Sequence, residues 1–156
     1  MAWKTDKFQK RSGESEIGTI RKQWKGRIKV ALVYPNTYHV GMSNLGFQTV
    51  YSLLNKIEHV VCERAFLPED SRPGANRTIT IESGSPVAAF DIIAFSVSFE
   101  NDFPNLLTII EKAGLPPRSS NRENSHPLVI AGGVAFFSNP EPVAPFIDCF
   151  LIGEAE

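Results

Sequence analysis

The sequence predicts an α/β domain, an open and mostly parallel sheet with helices on both faces in three layers. Three observations carry this. Continuous apolar runs such as RIKVALVYP and FDIIAFSVSF read as strands covered on both sides. Between them apolar residues recur at spacings of three and four, as one helix face demands. Proline, glycine and polar clusters separate the two kinds of segment, so strand and helix alternate along the chain. At 156 residues, 42% hydrophobic and 21% charged, the chain suffices for one domain with a real core and is not disordered in composition.

The first 26 residues read as a basic leader, in which Lys4, Lys7, Lys10, Arg11, Arg21, Lys22 and Lys25 outnumber Asp6, Glu14 and Glu16. A solvated leader is the plainer reading and a phosphate-contacting arm the sharper one. MAWKTDKFQK has no apolar stretch after its charges, so it is neither a secretory signal nor a membrane anchor, and the expected compartment is cytoplasmic. Residues 27–156 then form the domain.

RIKVALVYP is the first strand, closed by proline. After a loop from Asn36 to Ser43, the positions Phe47, Val50, Tyr51, Leu54 and Ile57 describe a helix that Ser43 or Asn44 can cap. VVCERAFLP, residues 60–68, is the second strand. The polar EDSRPGANR is a surface excursion marked by Pro73 and Gly74, and TITIES returns as a short strand. FDIIAFSVSF, residues 90–99, is the third long strand. Its helix carries Phe103, Leu106, Leu107, Ile110 and Ala113, and Gly114 with Pro116-Pro117 ends it. RSSNRENSH is too polar to be anything but exposed. PLVIAGGVAFF runs a fourth strand into a Gly-Gly turn, and IDCFLIGEAE is the last strand. Cys62 and Cys149 lie inside these strands, where a small buried thiol is expected and a disulfide framework is not. The sequon Asn76-Arg77-Thr78 has no meaning without export. The chain stops as its last strand emerges, without a closing helix, which suggests the front end of a longer polypeptide. The whole reads as Rossmann-like, in the flavodoxin-like variant.

A net charge of −1 gives no global field to draw nucleic acid or an anionic membrane. In such a sheet ligands bind beyond the carboxyl ends of the strands, near the point where strand order reverses. Four segments converge there. The first, YPNTYHVGMSNLG, contributes Asn36, Tyr38, His39, Gly41, Met42, Ser43, Asn44 and Gly46; the others contribute Ser96-Val97-Ser98, Gly132-Gly133, and Gly153-Glu154. The glycines let backbone approach a flat or bulky ligand. Neither a G-x-G-x-x-G after the first strand nor a G-x-x-x-x-G-K-[ST] loop is present. His39 can hydrogen-bond within its loop, transfer protons, or ligate a metal. Glu100, Asp102 or Glu154 can bring an acid near it through folding. No cysteine or serine is arranged as its nucleophile, so no catalytic residue is assigned.

Together YPNTYHVGMSNLGFQTVY, FSVSFENDFPNLL, AGGVAFFSNPEP and FLIGEAE resemble the amino-terminal region of cobalamin-binding-domain radical SAM proteins, from about Gly18 onward. That resemblance implies a D-x-H-x-x-G motif whose histidine can sit beneath cobalt. It also implies an S-x-L motif after the third strand and a Gly-Gly pair after the fourth, which shape a slot for the dimethylbenzimidazole tail. His39 stands in the right loop as a candidate cobalt ligand, Ser96-Val97-Ser98 stands at S-x-L, and Gly132-Gly133 matches. Thr37 replaces the aspartate that would orient the histidine, and glycine follows His39 by two residues instead of three. The resemblance further implies a radical SAM domain downstream as partner, holding a [4Fe–4S] cluster and S-adenosylmethionine through a C-x-x-x-C-x-x-C motif that this chain lacks. The chain is then not catalytic alone: it is an accessory domain that binds, or descends from a binder of, cobalamin. The alternatives are a structural module with an empty crevice docked on the barrel, and a flavin or nucleotide binder.

Overall fold

Seven residues of the first apolar run, Ile28–Tyr34, form β1, an inner strand of the sheet. Their side chains alternate between two cores, as the two-residue period of a strand requires. Val30, Leu32 and Tyr34 pack with Phe47 and Tyr51 on one face. Ala31 and Val33 pack with Leu106, Ile109 and Ile110 on the other. The structure, a computed structural model, describes residues 16–68 and 77–153. The first 15 residues of the leader, most of the polar excursion including Pro73 and Gly74, and Glu154 lie outside the described residues.

The elements follow the predicted alternation: α1 (Tyr38–Met42), α2 (Leu45–Lys56), β2 (Val60–Phe66), β3 (Ile92–Ser96), α3 (Phe103–Lys112), β4 (Leu128–Gly132), α4 (Ala135–Ser138) and β5 (Cys149–Leu151). All strand pairs are parallel and the order is β2-β1-β3-β4-β5, with the reversal between β1 and β3. Helix α2 buries Phe47, Tyr51 and Asn55, at successive spacings of four, on one face of the sheet. Helix α3, with Pro104 in its first turn, buries Phe103, Leu106, Ile109 and Ile110 on the other.

Several boundaries differ from expectation. The loop from Asn36 to Ser43 contains the short helix α1, and the α2 cap is Asn44, whose Oδ1 accepts from the Phe47 N–H at 2.8 Å. Ile57, expected on the helix face, is its half-exposed terminal residue. TITIES forms no strand; Thr80 and Ile79 make only isolated bridges, with Ala65 and Pro86. The third strand covers five residues instead of ten and the last only three. Cys62 is buried, but Cys149 is exposed, because β5 is an edge strand with one face open. The RSSNRENSH loop is not all solvent: the Arg122 side chain is 4% exposed and donates to the carbonyls of Pro116, Pro117 and Phe146 and to Asp148.

The reason TITIES is not a strand lies in β2. Its outward backbone groups are closed by side chains and turns instead of a further strand, which protects an edge from unwanted pairing. Lys22 Nζ donates to Val60 O, and Asn55 brackets Cys62 with Nδ2 donating to its carbonyl and Oδ1 accepting from its N–H. Glu82 Oε2 accepts from the Arg64 N–H, and the Ile81 N–H donates to Arg64 O. The later part of the leader joins this cover: Trp24 Nε1 donates to Glu63, Lys22 also reaches Ile57 O, and the Ile20 N–H donates to the Tyr51 hydroxyl.

Candidate functional site

Parallel strands put all their carboxyl ends along one edge, so the loops after β1, β3, β4 and β5 meet there by topology. After β1, Pro35 closes the strand, and Asn36 starts a set of bridges across the reversal point. Asn36 Nδ2 donates to Asp102 Oδ1 at 2.8 Å, and its own Oδ1 accepts from the Thr37 N–H. Asn105 Nδ2 donates to Pro35 O, and Asn44 Nδ2 donates to Ser98 Oγ, each at 3.0 Å. These bonds tie the first loop to the third. Asp102 is 4% exposed, and its Oδ2 has no partner among the described residues. Glu100 is exposed beside it.

Helix α1 carries Tyr38, His39, Gly41 and Met42. Gly41 is buried because a Cβ there would fall 2.4 Å from the Phe66 ring, so glycine lets α1 sit on the end of β2. Tyr38 stacks edge-on to the same ring, 5.3 Å between centroids. Burial first, and the Glu16 carboxylate second, hold its hydroxyl above the usual tyrosine range, so it stays protonated. The Met42 sulfur lies 3.3 Å from Arg64 Nη1. Arg64 is buried between Glu82 and Glu16 over the Tyr51 ring. The Glu82 carboxyl is raised by burial, while the Arg64 guanidinium acts to lower it. Ser43 is exposed, its hydroxyl donating to Val40 O, and Gly46 lies in the first turn of α2. His39 is exposed; its ring meets the Tyr38 ring at 5.6 Å and has no hydrogen-bond partner among the described residues.

Beyond β3 and β4, the two remaining motifs are packed against each other. The Val97 N–H donates to Gly132 O, and the Ala135 N–H donates to Val97 O. Gly133 has φ +118°, and a Cβ there would meet Val97 O at 2.3 Å, so glycine is needed for backbone to pass over backbone. Ser96 and Ser98 are half-buried, Val97 fully buried, and Gly153 is exposed at φ +145°. Of the residues implied for a corrinoid, the Ser98 hydroxyl is thus engaged by Asn44 and the gap between Val97 and Gly133 is filled by the chain itself. The His39 ring, by contrast, is exposed. Among the described residues no three His, Cys, Asp or Glu side chains cluster as a metal cage.

Above these bridges runs a feature that sequence reasoning missed. Leu45 is 78% exposed, Phe99 63%, Val134 56%, Phe137 51% and Ile152 61%. They follow β1, β3, β4, β4 and β5, so they succeed one another along the carboxyl edge as an apolar rim. The signal was present: Phe99, Val134 and Phe137 are large apolar residues placed just past strand ends, where loops are ordinarily polar.

A cavity of about 340 Å3 lies elsewhere, along the β2 side, lined by residues that include Trp24, Glu63, Glu82 and Ser83. The Glu63 carboxylate there is saturated by Trp24, Thr80 and Ser83.

The fold is an open parallel sheet of the α/β class, with polar bridges and exposed apolar residues along its carboxyl edge. The chain belongs to the family of radical SAM proteins, N-terminal, whose sequence profile matches residues 46–156. The His39 loop precedes that match. The chain is also similar to the uncharacterized protein MJ0966 of Methanocaldococcus jannaschii, 28% identical over 127 residues, covering 81% of this chain and 24% of that protein. It therefore spans about a quarter of the relative it matches. No helix among the described residues is long and apolar enough to cross a membrane.

Proposed function

We propose that this chain is the accessory, non-catalytic domain of a longer radical SAM enzyme, and that it docks the carboxyl edge of its sheet against the catalytic part. The observation that carries this is the rim of Leu45, Phe99, Val134, Phe137 and Ile152, each more than half exposed. Exposed apolar side chains gathered from successive loops mark an interaction surface. Beneath them the Asn36–Asp102 and Asn44–Ser98 bridges hold the first and third loops in fixed relation, which keeps the rim in register. In the parent enzyme the catalytic part holds the [4Fe–4S] cluster and S-adenosylmethionine, and this domain contributes binding and orientation.

A second reading, a corrinoid seated on the same edge, is favoured by the exposed His39 ring without a hydrogen-bond partner. Cobalamin supplies cobalt-centred group or electron transfer when bound, and the exposed His39 ring would hold it.

Docking is tested by producing the domain and the remainder of the polypeptide as separate chains and measuring their association by sedimentation. A complex is expected, weakened by about tenfold or more by Phe99→Asp or Ile152→Asp. No association, or association indifferent to both substitutions, removes the reading. The corrinoid is tested by incubating the full-length protein with hydroxocobalamin, removing free ligand and recording the visible spectrum for wild type and His39→Ala. A retained spectrum that changes in the variant supports ligation by His39. No retained corrinoid removes the second reading.

A further inference from the structure

Among the described residues, one face of the sheet is only half covered. Helix α2 packs over β1 and β2, where Val30, Leu32, Cys62 and Phe66 are buried. Farther along the same face, register places Ile92 beside Leu128, Ala94 beside Ile130, Ile130 beside Cys149, and Gly132 beside Leu151. These side chains alternate with Ile93, Phe95, Val129 and Ala131, which are sealed in the opposite core. On the open side Leu128 is 48% exposed and Leu151 58%, and the Cys149 thiol is exposed; Ile92, Ala94 and Ile130 are partly so. Parallel strands are ordinarily covered on both faces, and an aliphatic surface of this kind stays in water only at a cost.

Its shape says what fits. Ala94, Gly132 and Cys149 are small and sit between the bulkier Leu128, Ile130 and Leu151. That is a shallow trough able to take the ridge of a helix, not a flat plane suited to another sheet. Topology says where the helix comes from. The connections from β3 to β4 and from β4 to β5 cross on the opposite face, where Leu106, Ile109 and Val143 are buried. Right-handed crossovers advancing across the sheet stay on that side, so the open face is left to a segment that follows β5 and turns back. The relative described above is about four times the length matched here, so chain to supply such a segment exists in the family.

We infer that the trough over β3, β4 and β5 seats an amphipathic helix from the same polypeptide, supplied by residues beyond β5, which lies beside α2 and completes the third layer. This rests on the reading of the chain as one part of a longer protein, but it concerns a face other than the rim. The rim joins domain to catalytic part; the trough is filled by the domain's own continuation.

Cys149 is a reporter placed in the trough, and Cys62, whose thiol burial pushes well above the usual range, is an inert control. In the full-length protein, alkylation by N-ethylmaleimide, read peptide by peptide, should proceed at Cys149 about 100-fold or more slowly than in the unfolded chain. Leu128→Lys should speed it by about tenfold while Cys62 stays unreactive. With Leu128 replaced by photoreactive p-benzoylphenylalanine, irradiation at low concentration should join this position to a peptide beyond residue 156 of the same chain. Alkylation of Cys149 at the unfolded rate overturns the inference, and so does crosslinking to a second copy. Either result leaves the Phe99→Asp test of the rim standing, so the two readings fail separately.

Discussion

Gly133 shows how a residue can be placed by sequence while its purpose is not. Its position after the fourth strand is plain from AGGVAFF, and glycine there suggests close approach of a ligand. What approaches is the Val97 carbonyl, 2.3 Å from the point a Cβ would take, with φ at +118°. Gly133→Ala should therefore cost about 3 kcal/mol, from left-handed strain and a backbone collision that no side-chain motion relieves. Gly153→Ala makes the useful comparison, because φ is +145° but no atom lies within 4 Å of the added carbon. It should cost about 1 kcal/mol, strain alone. Urea unfolding of both variants checks the difference, and equal losses would mean that the Val97 contact carries nothing. His39 shows the converse. Its place in the first loop was legible, but whether its ring would find a partner depended on which acid folded toward it. Asp102 did come to that loop, as far as Asn36, and its carboxylate bonds there.

Elements were legible where one period ran without competition and illegible where side chains took over backbone work. The α2 pattern of Phe47, Tyr51 and Leu54, the α3 pattern of Leu106 and Ile110, and the cores of β1 and β2 declared themselves, because burial on one helix face or both strand faces leaves a repeating mark. TITIES alternates like a strand, yet Glu82 uses its carboxylate on the Arg64 N–H and so ends the ladder that alternation promised. The same edge rests on Asn55, which a helix pattern treats as an ordinary polar position. Its amide makes both hydrogen bonds that Cys62 would otherwise make to a neighbouring strand. Asn55→Ala leaves a buried N–H and a buried carbonyl unpaired, which should lower stability by about 3 kcal/mol. Hydrogen exchange sharpens the point: the Cys62 amide should lose protection more than the Val33 amide of β1. Uniform loss through the sheet would show that Asn55 acts only through helix stability.

At the scale of the whole molecule, two apolar surfaces, the rim and the trough, lie on a chain whose net charge is −1. Charge of that size gives almost no mutual repulsion between copies. Residues 1–156 produced without the rest of the polypeptide should therefore self-associate as concentration rises. The driving force is burial of aliphatic and aromatic area, which sets two signatures. Raising salt to about 0.5 M NaCl, which screens ion pairs, should not dissolve the assemblies, and sulfate should strengthen them. Phe99→Ser with Leu151→Lys, one change in each surface, should shift the association midpoint upward by about tenfold, whereas Asn124→Ser in the exposed connection from α3 to β4 should leave it unchanged. Sedimentation across a concentration series reads both. Association abolished by salt would assign it to charge, and the rim and trough would then be ordinary scattered surface, with no claim to a partner.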